Sequence, residues 1–190
     1  MATAEPAIKS EVRELALLFE VSQLLDQSID LRDVVGPVLN AVANRTGMVR
    51  GTLTLLDRNT GELFIEAAHG LSTNQRERGR YLAGEGITGD VLRNGKPVVV
   101  PDISKEPKFL DRTGARGDVP KVHLSFICVP IKVENEVIGT LSVDRPVSDS
   151  VSLEDDARLM SIIASLIAQA VRLRQDAEED RQRLMHENTR

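Results

Sequence analysis

The chain has 190 residues, a net charge of −5, and 41% apolar and 28% charged residues, which are the proportions of one soluble domain with an extension. That negative balance disfavours a polyanion partner, whose affinity comes from neutralised phosphates, so direct nucleic-acid binding by this segment is not expected. No apolar run nears the roughly 20 residues of a membrane span, no signal-peptide core opens the chain, and the lone Cys128 excludes an intrachain disulfide, so a cytoplasmic protein off the membrane is expected.

Residues 1–9 read as a flexible tail. A first helix is predicted after Ser10 as N-cap, running to about Gln27, with Val12, Leu15, Phe19 and Ser22 in one stripe and Leu18 and Leu25 beside it. Asp30 can cap a second helix carrying Val34, Val35, Val38, Leu39 and Val42, with Asp33 favourable to its dipole and Gly47 as its stop. Pro37 lacks an amide hydrogen, so it should kink this helix or delay its regular start. From Met48 the period changes to two. Gly51, Leu53 and Leu55, then Leu63, Ile65 and Ala67, flank the turn sequence DRNTG and predict an antiparallel hairpin over 48–69.

A polar stretch, 72–80, leads to GEGITGDVLRNGKPVVVPDIS at 84–104. Ile87, Val91 and Leu92 put one apolar face on a short helix, Gly95 suits its C-cap, and Val98–Val100 suit a brief strand. Gly84, Gly86 and Gly89 also spell G-x-G-x-x-G, with Asp102, Glu106 and Asp111 downstream. A dinucleotide site needs a strand feeding into the glycines and a longer helix after them, and neither is present. The irregular segment 101–123 is long enough to be a functional loop. A second hairpin, 124–133 and 137–145, turns through Glu134, Asn135 and Glu136. Ser152 with Asp155 resembles a capping box before a helix with no breaker to Arg190. Along it Leu159, Ile163, Leu166, Ala170, Leu173, Ala177, Asp180 and Leu184 alternate in steps of four and three, a heptad seam. The expected division is a tail at 1–9, a globular domain at 10–172 and a coiled-coil linker at 173–190. A solvated tail is the plain alternative for the last segment.

The order helix, helix, hairpin, short helix, strand, long loop, hairpin, long helix resembles a GAF domain, the small-molecule sensor fold related to PAS. AAHGLS (67–72), residues 79–104, EPKFLDRTGAR (106–116) and SFICVPIKVENEVIGTLSVDR (125–145) carry the resemblance, and they look most like the amino-terminal GAF domain of NifA-type nitrogen-fixation activators. The fold implied is α/β (α+β): a central antiparallel sheet with helices packed on one face and a short helix plus loops on the other. The resemblance further implies a homodimer and a following ATPase of the σ54-dependent kind, controlled by this domain. In some relatives such domains bind 2-oxoglutarate and meet an antiactivator or a PII-type protein. Relatives sensing oxygen through iron–sulfur clusters carry an amino-terminal cysteine motif, which this sequence lacks.

A dicarboxylate effector needs cations or donors facing its pocket. Arg80, Arg112, Arg116 and Lys121, with Thr88 and Ser125 as neutral donors, are the candidates, and a solvated rim is the bland alternative for each arginine. Cys128 lies in an apolar strand and reads as a small buried hydrophobe. His69 and His123 end or precede strands without a second ligand at metal spacing, so no metal site is assigned. The pairs Asp155–Asp156 and Glu178–Glu179 are neighbours on helices and diverge, and no catalytic motif is present, so no enzyme is expected. Two readings follow. One is a dimeric metabolite sensor biasing an attached ATPase. The other is a ligand-free dimerisation and protein-interaction module whose pocket is filled by Phe109, Leu110 and Phe126.

Overall fold

A computed structural model describes residues 4–117, 123–148 and 152–187, with side chains over 8–117, 123–148 and 152–186. Its elements are α1 (Ala4–Leu25), α2 (Leu31–Thr46), β1 (Arg50–Asp57), β2 (Glu62–His69), α3 (Thr73–Arg78), β3 (Arg80–Leu82), α4 (Gly86–Asn94), β4 (Val98–Val100), β5 (Leu124–Val133), β6 (Glu136–Pro146) and α5 (Leu153–Glu187). The strands form one antiparallel sheet in the order β3-β2-β1-β6-β5-β4. Two hairpins therefore meet along β1 and β6, in the middle of the sheet.

The pleat sorts side chains between two layers. Leu53 of β1, Ile127, Val129 and Ile131 of β5, and Leu141 and Val143 of β6 face α1, α2 and α5, where they pack with Leu17, Val21, Val35, Val38, Met160, Ile163 and Ile167. Their alternates Phe126 and Cys128 face the opposite side and pack with Ile87 and Val91 of α4 and Val100 of β4. The predicted fold class is the one observed, with three helices on one face and α4 with its loops on the other.

Local chemistry explains the boundaries. The Asp30 carboxylate accepts the Arg32 amide at 2.9 Å and caps α2, whose end is Gly47 in the left-handed conformation (φ 74°). Pro37 neither ends nor delays α2; it is carried on an exposed side, where the carbonyl it frees can reach water. The first helix starts at Ala4 rather than after Ser10, so from Ala4 the segment read as a tail is helical; Pro6 falls in its first turn, where a missing amide costs nothing. The stretch 72–80, read as a polar loop, contains α3, closed by a reciprocal capping box between Ser72 and Gln75, and the start of edge strand β3.

Two helices have faces that the fold does not cover. On α1 the buried stripe is Leu17, Val21 and Leu25, while Ile8, Val12, Leu15 and Phe19 are exposed, Phe19 by 68%. In α5, Leu159 and Ile163 belong to the chain's own core and Leu166 and Ala170 are half-buried at its margin. From Arg172 to His186 only Arg174 is even half-buried, so the helix leaves the sheet as a rod about 22 Å long at 1.5 Å per residue. Where it departs, the Arg174 guanidinium donates to the carbonyls of Leu25 at 3.0 Å and Ile29 at 2.6 Å, and also to Ser28.

Candidate functional site, a filled cavity beneath the small helix

The cavity lies on the sheet face opposite the long helices, and its floor follows from strand register. Thr52 and Thr54 of β1 stand opposite Ser142 and Thr140 of β6, and Asp144 continues the β6 row two residues on. The hydroxyls pair off at 2.6 Å, Thr52 with Ser142 and Thr54 with Thr140. That satisfies polar groups which would be costly to bury alone. Ile87 and Thr88 of α4, with Tyr81 of β3, form one wall, and Phe109, Leu110 and Thr113 come from the loop after β4.

The glycines of the G-x-G-x-x-G run set this wall. Gly84 and Gly86 have positive φ (82° and 63°), and a Cβ on Gly89 would stand 2.1 Å from the Leu82 carbonyl oxygen. They allow β3 to turn directly into α4 at backbone contact.

Asp144 is the charge at the centre, with its side chain 1% exposed. Arg116 pairs with it side-on: Nε donates to Oδ2 at 3.0 Å and Nη2 to Oδ1 at 2.6 Å. Arg50 adds Nη1 to Oδ2 at 3.1 Å, and its Nη2 donates to the Ala115 carbonyl at 3.1 Å. Arg116 also donates through Nη1 to Asp111 Oδ1 at 3.2 Å. Its guanidinium carbon lies 4.7 Å from the Phe109 ring centre and 5.7 Å from that of Phe126, and the two rings meet edge to face at 5.1 Å. Burial would lower the Arg116 pKa, but Asp144 and then Asp111 outweigh it and hold the pKa above the ordinary value. Burial likewise pushes the Tyr81 hydroxyl up.

Residues 106–117 act as a lid. Besides Arg116, it is tied down by Arg112 to Glu85, by Lys108 to Asp90 at 3.2 Å, and by Arg78 donating to the Thr113 carbonyl at 2.7 Å. With Phe109, Leu110 and Arg116 inside, the remaining free volume is about 30 Å³, far below the roughly 300–1,000 Å³ of a small-molecule pocket.

Of the predicted site residues, Arg116 and Thr88 line this cavity. Arg112 does not line it and pairs with Glu85 instead. Arg80 is on the outer side of β3, 3.6 Å from Glu62. Ser125 donates to the Pro101 carbonyl at 2.8 Å and serves the loop. Lys121 lies outside the described residues. Arg50, Asp111 and Asp144 were missed. The available signal was polar residues at every second position of two otherwise buried strands, Thr52 and Thr54 in one and Thr140, Ser142 and Asp144 in the other. Cys128 is fully buried beside the cavity, and burial pushes its thiol up to about 12, so it holds no thiolate at neutral pH. His69 bonds Asn40 at 2.6 Å and His123 bonds Asp102 at 3.1 Å, both away from the cavity.

A two-hairpin antiparallel sheet with long helices on one face and a small helix roofing a cavity on the other defines a GAF-type module. The chain belongs to the GAF domain family, whose model matches residues 30–171. It is similar to the nitrogen fixation protein VnfA of Azotobacter vinelandii, 42% identical over 160 residues, which are 84% of this chain and 31% of that protein. It is also similar to a Nif-specific regulatory protein of Azospirillum brasilense, 39% identical over 180 residues, 93% of this chain and 28% of that protein. The chain thus spans about a third of the length of these relatives. Among solved structures, the Nlh2 GAF domain of A. aeolicus in an inactive state superposes with a TM-score of 0.77 at 26% identity, over 86% of this chain and 98% of that one. No helix among the described residues is long and apolar enough to cross a membrane.

Proposed function

We propose that the chain is the regulatory GAF module of a Nif-specific transcriptional activator, and that it controls an ATPase output domain through α5. The observation that carries this reading is the continuity of α5. Its first half, through Met160, Ile163 and Ile167, is part of the core against the sheet, and its second half runs on in solvent. A change in the sheet is therefore delivered along a rigid helix. Similarity to Nif-specific regulators supports the assignment of the output. The test grafts this chain onto the output part of such a relative and measures transcription from a nitrogen-fixation promoter. Regulation should be lost when four residues are inserted after Arg172 and regained with seven, which restore the helical phase. Equal output from all three proteins would exclude control through α5.

The module acts as a homodimer in this reading. The exposed stripe Ile8, Val12, Leu15 and Phe19 has heptad spacing, and Ile162 and Leu173 of α5 are also exposed. The second copy covers this α1 and α5 surface, so the seam is shared between two helices instead of running down α5 alone.

As to its input, the filled cavity supports the ligand-free interaction reading, in which a partner such as an antiactivator or a PII-type protein acts on the outer surface. Phe109, Leu110 and Phe126 fill the space, and the Arg116 charge is already matched. A second reading, in which the module senses a small metabolite such as 2-oxoglutarate, is favoured by the charges built into the interior at Arg50, Arg116 and Asp144. Isothermal titration with 2-oxoglutarate at millimolar concentration separates the two for that ligand.

A further inference from the structure

Arg116 occupies the cavity in the manner of a bound ligand. A buried carboxylate meets it side-on and two aromatic rings flank it, which is the chemistry that recognises an organic cation. Yet this cation belongs to the lid, whose other ties are Arg112 to Glu85, Lys108 to Asp90 and two bonds to lid carbonyls. The ionic ties are partly exposed, and such pairs hold weakly.

The charges left when the lid departs decide the ligand class. Arg116 and Asp111 go with it, and the sheet keeps Asp144 and Arg50, one charge of each sign. Arg50 then also loses its bond to the Ala115 carbonyl, which frees Nη2 to receive an anion. A dicarboxylate would bring two negative charges to a floor holding a fixed carboxylate and a single arginine. A zwitterion matches both ends.

We infer that the cavity is a receptor for a small zwitterion bearing a guanidinium or primary ammonium group with a carboxylate, and that its cationic end takes the place of Arg116. The ligand's carboxylate meets Arg50, its cation meets Asp144, and Phe126 covers the cation from the sheet side. Arg116 is then a tethered competitor, which lowers apparent affinity by the fraction of time it holds the site. This inference rests on the metabolite-sensing reading and names its ligand.

The test uses L-arginine as the zwitterionic probe and 2-oxoglutarate as the dianionic one, titrated calorimetrically into the whole chain and into Arg116→Gln. Removing the competitor should tighten L-arginine binding at least tenfold, and methylguanidinium, unlike its neutral isostere methylurea, should compete. In the unaltered protein, saturating L-arginine should speed trypsin cleavage at Arg112 and Arg116 at least tenfold, a readout that stands if the variant does not fold. Preference for 2-oxoglutarate over L-arginine overturns the inference and leaves metabolite sensing intact. Absence of binding by either probe, with no change in cleavage, overturns this inference and the 2-oxoglutarate reading together.

Discussion

Arg116 and Asp144 meet through two nearly parallel hydrogen bonds of 3.0 and 2.6 Å, and this pair joins the lid to the centre of the sheet. Residue 116 follows an irregular loop and residue 144 is in β6, so the contact couples the most irregular part of the domain to its most buried part. Whatever moves the lid must first break it.

Asp144→Ala leaves Arg50 and Arg116 facing each other without their shared counter-ion. Breaking a buried pair on one side costs about 3–5 kcal/mol, and urea denaturation should show a loss of this order. Asp144→Asn keeps the shape but not the charge, and should fall between the two proteins. A loss below about 1 kcal/mol for the alanine variant, the range of exposed pairs, would mean that the cavity is wet and the pair worth no more than a surface one.

Two glycines should respond unequally to the same change. Gly89→Ala drives a Cβ to within 2.1 Å of the Leu82 carbonyl oxygen, so β3 and α4 must separate, and a loss of more than about 2 kcal/mol is expected in thermal unfolding. Gly36 is in α2, and beyond its chain neighbours and its own helix backbone no heavy atom lies within 4 Å of the new Cβ. Gly36→Ala gains about 1 kcal/mol of helix propensity, but the Pro37 ring crowds a Cβ on the helical residue before it, so the two effects offset and a net change within about 1 kcal/mol of zero is expected.

Leu15→Glu and Phe19→Glu change exposed positions on α1. Sedimentation velocity should show a shift from dimer to monomer with thermal stability at low protein concentration little changed. A dimer unaffected by the double variant would place the interface elsewhere. Ile163→Glu, by contrast, buries a charge in the core and should unfold the chain.

Asp102 is held down to about 2, first by its hydrogen bond from the Ser104 hydroxyl and also by the Ser104 amide and His123. A carboxylate with a depressed folded pKa contributes stability that is present above its unfolded value near 3.8 and is lost as pH falls through about 2. Carboxyl carbon shifts followed by NMR should show Asp102 titrating below the ordinary aspartate range, and Ser104→Ala should return it towards 3.8.

Much of the fold was legible in one dimension because its cues are local. The two hairpins announced themselves by alternation around DRNTG and around Glu134–Asn135, where both turn residues take positive φ. Asp30, Gly47, Gly95 and Ser152 act as the helix ends their chemistry suggests. The first helix was misplaced because Ser10 is a good cap type, yet nothing before it stops a helix.

The site was less legible, for reasons that are equally physical. Arg80, Arg112 and Arg116 are alike in sequence, and only the lid's path turns one inward and leaves Arg80 in solvent. Leu159 and Leu173 share one heptad seam, but the sheet reaches only the first, so one is core and the other exposed. The periodicity of the chain determined which residues share a face, because backbone geometry is local. Which faces were covered, and that Asp144 would meet two arginines in the dark centre of the domain, depended on register between strands about ninety residues apart.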